Sequence, residues 1–209
     1  NFPASNNLNH ISLIEYTYNK ISQNSKIKVN EFRLFKSKKG NYFFGSKRFD
    51  RIQNEKIHLH SAAGLLHDNF RMSTMDYGHL MDCAFTLEKD FNAYGKILRL
   101  ATFNVLAHNR DDHSKNFSFL MNKTGKWQFA PAYDLTFSNS SYGFHSTTIA
   151  GESKNPNLKH LTELAKHFGV KNHKTIFEEV GQAITEFEQI ATSLDMNKNT
   201  IKLVKGSLL

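Results

Sequence analysis

At 209 residues, with 39% apolar and 22% charged side chains, the chain is long enough to bury a sizeable core and has the make-up of an ordinary soluble globular protein. Its 18 Phe and 7 Tyr argue against disorder, no apolar run reaches the length of a transmembrane helix, and the single Cys83 excludes a disulfide framework or a cysteine-based zinc site. The net charge of +8 suits a nucleotide-binding enzyme, a protein that works near nucleic acid, or simply a lysine-rich surface. Cysteine usage and the absence of a signal-peptide pattern make the cytoplasm the expected compartment, and the opening Asn1-Phe2-Pro3 suggests that sequence precedes it.

Apolar residues at Leu8, Ile11, Leu13, Ile14, Tyr18 and Ile21 predict a helix over 8–21, with Ser5, Asn6 and Asn7 as capping candidates. Two β-type runs, 31–35 and 42–49, flank a polar loop containing Gly40 and predict a hairpin. From 61 to about 108 the spacing is helical, broken near 90–92. Two short strands, 117–121 and 127–129, are joined by the turn Asn122-Lys-Thr-Gly125. A Ser/Gly-rich loop over 138–153 precedes helices at 158–168, 173–194 and 200–204. This order predicts an α+β fold dominated by helix.

The chemistry concentrates in Ala107-His-Asn-Arg-Asp-Asp-His-Ser-Lys-Asn116, where two acids, two His, an Arg, a Lys and two Asn lie between apolar elements. Such a cluster is costly to bury without a use. Asp111 and Asn116 are five positions apart, the spacing of Asp and Asn in the catalytic loop of protein kinases. Phosphoryl transfer needs one carboxylate to orient the acceptor hydroxyl and oxygen ligands to hold magnesium against the phosphates. Asp111 suits the first task; Asn116 suits the second, with Asp134 of Tyr133-Asp134-Leu135 as the further carboxylate. Three other readings compete. These are a zinc site through His108 and His113, a His-Asn-His nuclease, and a polar loop whose acids merely cap helices.

Asp111-Asp-His-Ser-Lys-Asn116-Phe-Ser together with Trp127-Gln-Phe-Ala-Pro-Ala-Tyr-Asp-Leu135 closely resembles the paired signature of HipA-like serine/threonine kinases, the toxins of HipBA and HipBST toxin–antitoxin systems. The resemblance implies a protein-kinase-like fold, mainly its helical C-terminal lobe, with residues 1–50 as part of the smaller lobe and 51–209 as the catalytic lobe. It makes Asp111 the catalytic acid and Asn116 and Asp134 the magnesium ligands, with ATP as co-substrate. His113 and Lys115 are further signature positions expected at the nucleotide. Tyr42-Phe-Phe-Gly-Ser-Lys-Arg-Phe-Asp-Arg51 looks like the family's hinge, so Lys47 and Phe49 would offer backbone groups to adenine and Asp50 would lie near the ribose. Glu15 falls where the family has an acid on an early helix.

The implied activity is phosphorylation of a serine in a glutamyl- or tryptophanyl-tRNA synthetase, which halts translation. A HipB-like DNA-binding antitoxin and a small HipS-like protein are the implied partners; nucleic acid is reached only through the antitoxin, and no membrane is involved. The family's glycine-rich loop and nucleotide lysine, expected N-terminal to this region, do not occur before Asn7. That keeps open a second expectation, a catalytically silent kinase-like lobe that serves as an interaction module for the antitoxin and operator.

Overall fold

The computed structural model describes residues 10–53, 55–140 and 143–208. Helix α1 (Ile11–Asn24) buries Leu13, Ile14, Tyr18 and Ile21, a helical stripe turned toward the core. The predicted start at residue 8 and its capping candidates lie outside the described residues. The helix ends where Ser25 folds its hydroxyl back onto the Ile21 carbonyl at 2.8 Å and Lys26 turns left-handed at φ 59°.

The expected hairpin is present: β1 (Phe32–Lys36) pairs antiparallel with β2 (Tyr42–Ser46), in the register Phe32↔Ser46 and Lys36↔Tyr42. Gly40, at φ 86°, supplies the left-handed residue of the connecting turn. β2 stops at Ser46 rather than reaching Phe49. A small ribbon follows, β3 (Arg51–Ile52) with β4 (Glu55–Lys56), which the sequence pattern did not signal.

The helical reading of 61–108 is corrected at its beginning. β5 (His58–Ser61) runs antiparallel to β6 (Ser118–Met121), which pairs in turn with β7 (Trp127–Phe129). His-Leu-His-Ser carries no β-branched residue, so this strand is made by its partner and not by local propensity. The short α2 (Ala62–Leu65) follows, capped by Ser61, and residues 66–76 form a loop before α3 (Tyr77–Glu88). Asp76 caps α3, accepting from the Gly78 amide at 2.7 Å while His79 reaches back to the Asp76 amide.

Helix α4 (Asn92–Leu106) is the centre of the molecule. Ala93, Ile97, Leu98, Leu100, Ala101 and Phe103 are all buried, an apolar surface wide enough to pack against α3, α5 (Leu158–His167) and α6 (His173–Thr185). The single helix expected over 173–194 breaks at Glu186, giving α6 and α7 (Phe187–Ser193). The last helix, α8 (Lys198–Lys205), is longer than the stretch 200–204 and starts at an Asn197 cap. The architecture is α+β, as expected. Among the described residues no helix is long and apolar enough to cross a membrane.

Tyr18 links α1 to the rest. Its ring meets Phe103 and Phe187 edge-on, with centroids 6.0 and 6.1 Å away, and its hydroxyl donates to the Ala107 carbonyl. Ala107 closes α4 and immediately precedes the polar loop. Tyr18→Phe keeps the packing but leaves that buried carbonyl without its donor. A loss of about 1–2 kcal/mol in urea unfolding is the expected result.

Candidate active site

Two asparagines set the start of the loop. The Asn109 amide donates to the Asn104 carbonyl at 2.9 Å, and the Asn109 side chain donates to the Asn104 Oδ1 at 2.9 Å. His108 between them turns left-handed at φ 52°, which reverses the chain out of α4. The next residues run beside Ser138, with Arg110 N–H donating to Ser138 O and Ser138 N–H donating to His108 O. The His108 ring stacks on Phe137 at 5.5 Å and meets Asn139 Oδ1 at 3.0 Å. Burial, then the nearby Arg110 charge, lowers its pKa and favours a neutral ring.

The consecutive acids Asp111 and Asp112 have opposite fates. Asp112 is 1% exposed and is surrounded by donors. Its Oδ1 accepts from the amides of Ser146 and Thr147 at 2.8 and 3.4 Å, and its Oδ2 accepts from Tyr77 Oη at 3.1 Å and His145 Nδ1 at 2.9 Å. Thr147 Oγ1 donates to the Asp112 backbone carbonyl at 2.6 Å. Tyr77 Oη in turn accepts from Asn104 Nδ2 at 2.8 Å, which closes the chain back to the start of the loop. Burial and the Asp112 charge hold the Tyr77 phenol well above its ordinary pKa, so it stays a donor.

With Asp112 fixed inward, Asp111 points outward, its side chain 48% exposed. A single 3-10 turn, Ser114–Asn116, then brings Asn116 back under it, and Asn116 Nδ2 donates to the Asp111 carbonyl at 2.8 Å. His113 Nε2 lies 3.7 Å from Asp111 Oδ1, and its Nδ1 is buried with no partner. Lys115 rests its ammonium 3.5 Å above the Phe70 ring, while His113 packs against the same ring at 5.7 Å. His108 and His113 engage different neighbours.

Asp134 reaches the same place from the other side of the sheet strand β7, in a left-handed conformation at φ 56°. Protein packed around its carboxyl raises its pKa, and the like charge of Asp111 raises it further. His113 and a hydrogen bond from Asn116 oppose the shift. The residue itself remains solvent-exposed, so desolvation is partial and the Asp111 repulsion is what a bound cation would relieve. Asp111, His113, Asn116 and Asp134 are therefore brought together, with Lys115 beside them.

The hinge residues divide. Phe49 packs its ring 5.5 Å from Tyr133, and Tyr133 Oη bonds both Ser118 Oγ at 2.7 Å and the Lys115 carbonyl. Lys47, by contrast, has both backbone groups in use, its N–H donating to Glu31 O at 2.8 Å and its C=O accepting from Asn30. Its ammonium lies 3.2 Å from Glu31. Asp50 is 6% exposed and held by Arg48 at 2.7 Å and Arg51 at 2.6 Å. The Arg48 hydrogen bond keeps its acid below the ordinary range. Neither Lys47 nor Asp50 contacts the acid cluster.

The sequence reading passed over Asp112, Tyr77, Asn104 and His145, and also Asp68, which takes the Ser114 hydroxyl. The adjacency of two acids was the only signal, since both cannot face solvent and serve the same end. Among the described residues no group of three or more His, Cys, Asp or Glu is placed to hold a metal. The Asp134 carboxylate, the Asn116 amide oxygen, substrate phosphate oxygens and water would nonetheless make up a magnesium shell, and the repulsion that Asp134 feels from Asp111 fits a cation bound at Asp134.

Residues 2–188 match the sequence model of the HipA-like C-terminal domain. A search of curated proteins by sequence gave no match. The fold is similar to that of the Shewanella oneidensis MR-1 toxin–antitoxin HipA, seen with HipB and operator DNA, at a TM-score of 0.72 and 16% identity. That likeness covers 96% of this chain and 54% of the other, so the chain spans about half of the Shewanella protein. It is similar too to the Helicobacter pylori proinflammatory kinase CtkA, at a TM-score of 0.58 and 14% identity over 96% of this chain and 84% of that one. At these identities the structural likenesses establish a shared fold.

Two outcomes test the site's construction. Asp112→Asn removes the charge that four donors converge on, and a loss of about 3 kcal/mol in denaturant unfolding is expected; wild-type stability would deny Asp112 its organising role. For Asp134 the folded pKa lies above the unfolded one. The unfolded chain then gives up its proton first as pH rises, and stability falls through that window and stays lower at neutral pH. In metal-free buffer, Asp134→Asn should melt higher than wild type at pH 7, and the advantage should fade below the ordinary carboxylate range.

Proposed function

Because the chain belongs to the HipA-like C-terminal domain family, we propose that it is the catalytic region of an ATP- and magnesium-dependent serine/threonine kinase toxin. The observation that carries this reading is the convergence of Asp111, Asn116 and Asp134, with Asn116 bonded to the Asp111 carbonyl, Asp134 close enough to feel the Asp111 charge, and Asp112 buried beside them. In this reading residues 1–50 belong to the smaller lobe and 51–209 to the larger.

The chain's own residues divide the work. Asp111, exposed and held by the Asn116 bond to its carbonyl, accepts a hydrogen bond from the acceptor serine hydroxyl and takes its proton as the phosphoryl group transfers. Asn116 Oδ1 and the Asp134 carboxylate would hold magnesium, whose chemistry when bound is to neutralise charge on the ATP phosphates. Among the described residues the Lys115 ammonium makes only a cation–π contact, so it is free to exchange Phe70 for a phosphate oxygen. His113 sits between Asp111 and Phe70 and orients that side of the loop. The contact of Phe49 with Tyr133 supports placing the adenine end of ATP along the 47–50 segment, through Phe49 in particular.

An aminoacyl-tRNA synthetase of the glutamyl or tryptophanyl type is the proposed acceptor, and translation arrest the consequence. The Shewanella complex supports a HipB-like antitoxin as partner, and a HipS-like small protein is the further candidate. Nucleic acid is then met through the antitoxin, in the cytoplasm.

The test is phosphate transfer from labelled ATP by the full-length gene product, with and without Asp111→Ala. Loss of a positioned general base lowers transfer by about 100- to 10,000-fold. Undiminished transfer in the variant would sink the role of Asp111. No transfer by the unmutated protein with any synthetase would favour the silent interaction lobe.

A further inference from the structure

A separate cavity of about 400 Å³ opens where the end of α1, the start of α4 and the segment after β7 meet. Its size falls within the range of small-molecule sites. Four cations line it, Lys26, Lys28, Lys96 and Arg99, and no carboxylate belongs to its wall. Glu179 answers Lys26 and Arg99 from outside at 2.5 and 2.7 Å, and Glu88 answers Lys96 at 2.7 Å. An excess of two positive charges remains, and among the described residues Lys28 makes no ion pair.

Arg99 is built in rather than loose. Its side chain is only 15% exposed, and its Nη1 alone serves both the Ser25 carbonyl, at 3.0 Å, and Glu179. Among the described residues Nε and Nη2 keep their donors without a partner, a planar fork of the kind that recognises phosphate. Ile27, Leu100 and Ile176 supply an apolar wall, and Gln128 adds an amide. The cavity also touches the catalytic segment. The Lys28 carbonyl accepts from the Ala132 amide at 2.8 Å, and Val29 bridges to Ala132, two residues before Asp134.

We infer that this cavity binds a phosphate monoester with a compact apolar body. A phosphate dianion matches the charge excess, and the apolar wall takes the organic group. Occupancy pulls on Lys28 and so biases the strand-like shelf that carries Tyr133 and Asp134. The inference stands independently of the kinase reading, since the cavity shares no residue with the acid cluster.

Phenyl phosphate is the probe, titrated calorimetrically into the 209-residue protein and followed by backbone amide shifts. The expected result is saturable one-to-one binding, with phenol inert and inorganic phosphate weaker. Lys28→Gln should bind about tenfold more weakly, the effect of one lost charge-assisted contact, while keeping the wild-type melting temperature. Shifts should centre on Lys28, Arg99 and Ala132. Absence of saturable binding, equal affinity in Lys28→Gln and Arg99→Gln, or shifts confined to residues 111–116 would each overturn the proposal.

Discussion

The buried carboxylate of Asp112 is the constraint on which the geometry of the polar loop rests. A charge with 1% exposure is tolerable only where donors replace the water it has lost, and four of them converge on its two oxygens. Those donors come from the start of α3 and from the 145–147 segment, so one side chain ties the polar loop to two distant parts of the chain. The Tyr77–Asn104–Asn109 chain extends the same network to the end of α4. These bonds hold Asp112 inward, and with it fixed there Asp111 turns outward.

A second device acts from the opposite side. Tyr133 packs against Phe49, bonds Ser118 on the central strand and bonds the carbonyl of Lys115. One phenol therefore fixes the distance between the 47–50 segment, the 3-10 turn and Asp134, its neighbour in sequence. Asp134 arrives in a left-handed conformation that an aspartate tolerates better than a bulkier residue would. What remains between these two supports is a small exposed space, bordered by two acids that repel each other and an asparagine that touches both. A cation bound there would relieve that repulsion.

The cation-lined cavity behind the 130–132 shelf shows how much of the +8 charge is placed and how much is merely solvated. Lys96 pairs with Glu88 while Lys26 and Arg99 share Glu179, and together they still surround a space with no acid in its wall. The 130–132 shelf thus lines the basic cavity and leads within two residues to Asp134.

Sequence by itself determined the elements with strong local patterning. The apolar stripes of α1 and α4, the hairpin around Gly40 and the pairing of Asp111, Asn116 and Asp134 were all legible, because helix period, turn chemistry and motif spacing are local properties. The family followed from the same residues. Only the tertiary structure decided the rest. β5 forms because β6 lies beside it, so no window of His58-Leu-His-Ser61 could announce a strand. Nor could spacing say which of two adjacent acids is exposed and which is the buried anchor: that depends on Tyr77 and His145, more than thirty residues away on either side of Asp112. Hydrogen-bond partners of a buried charge are chosen by the fold, and their separation along the chain hides them from any local reading.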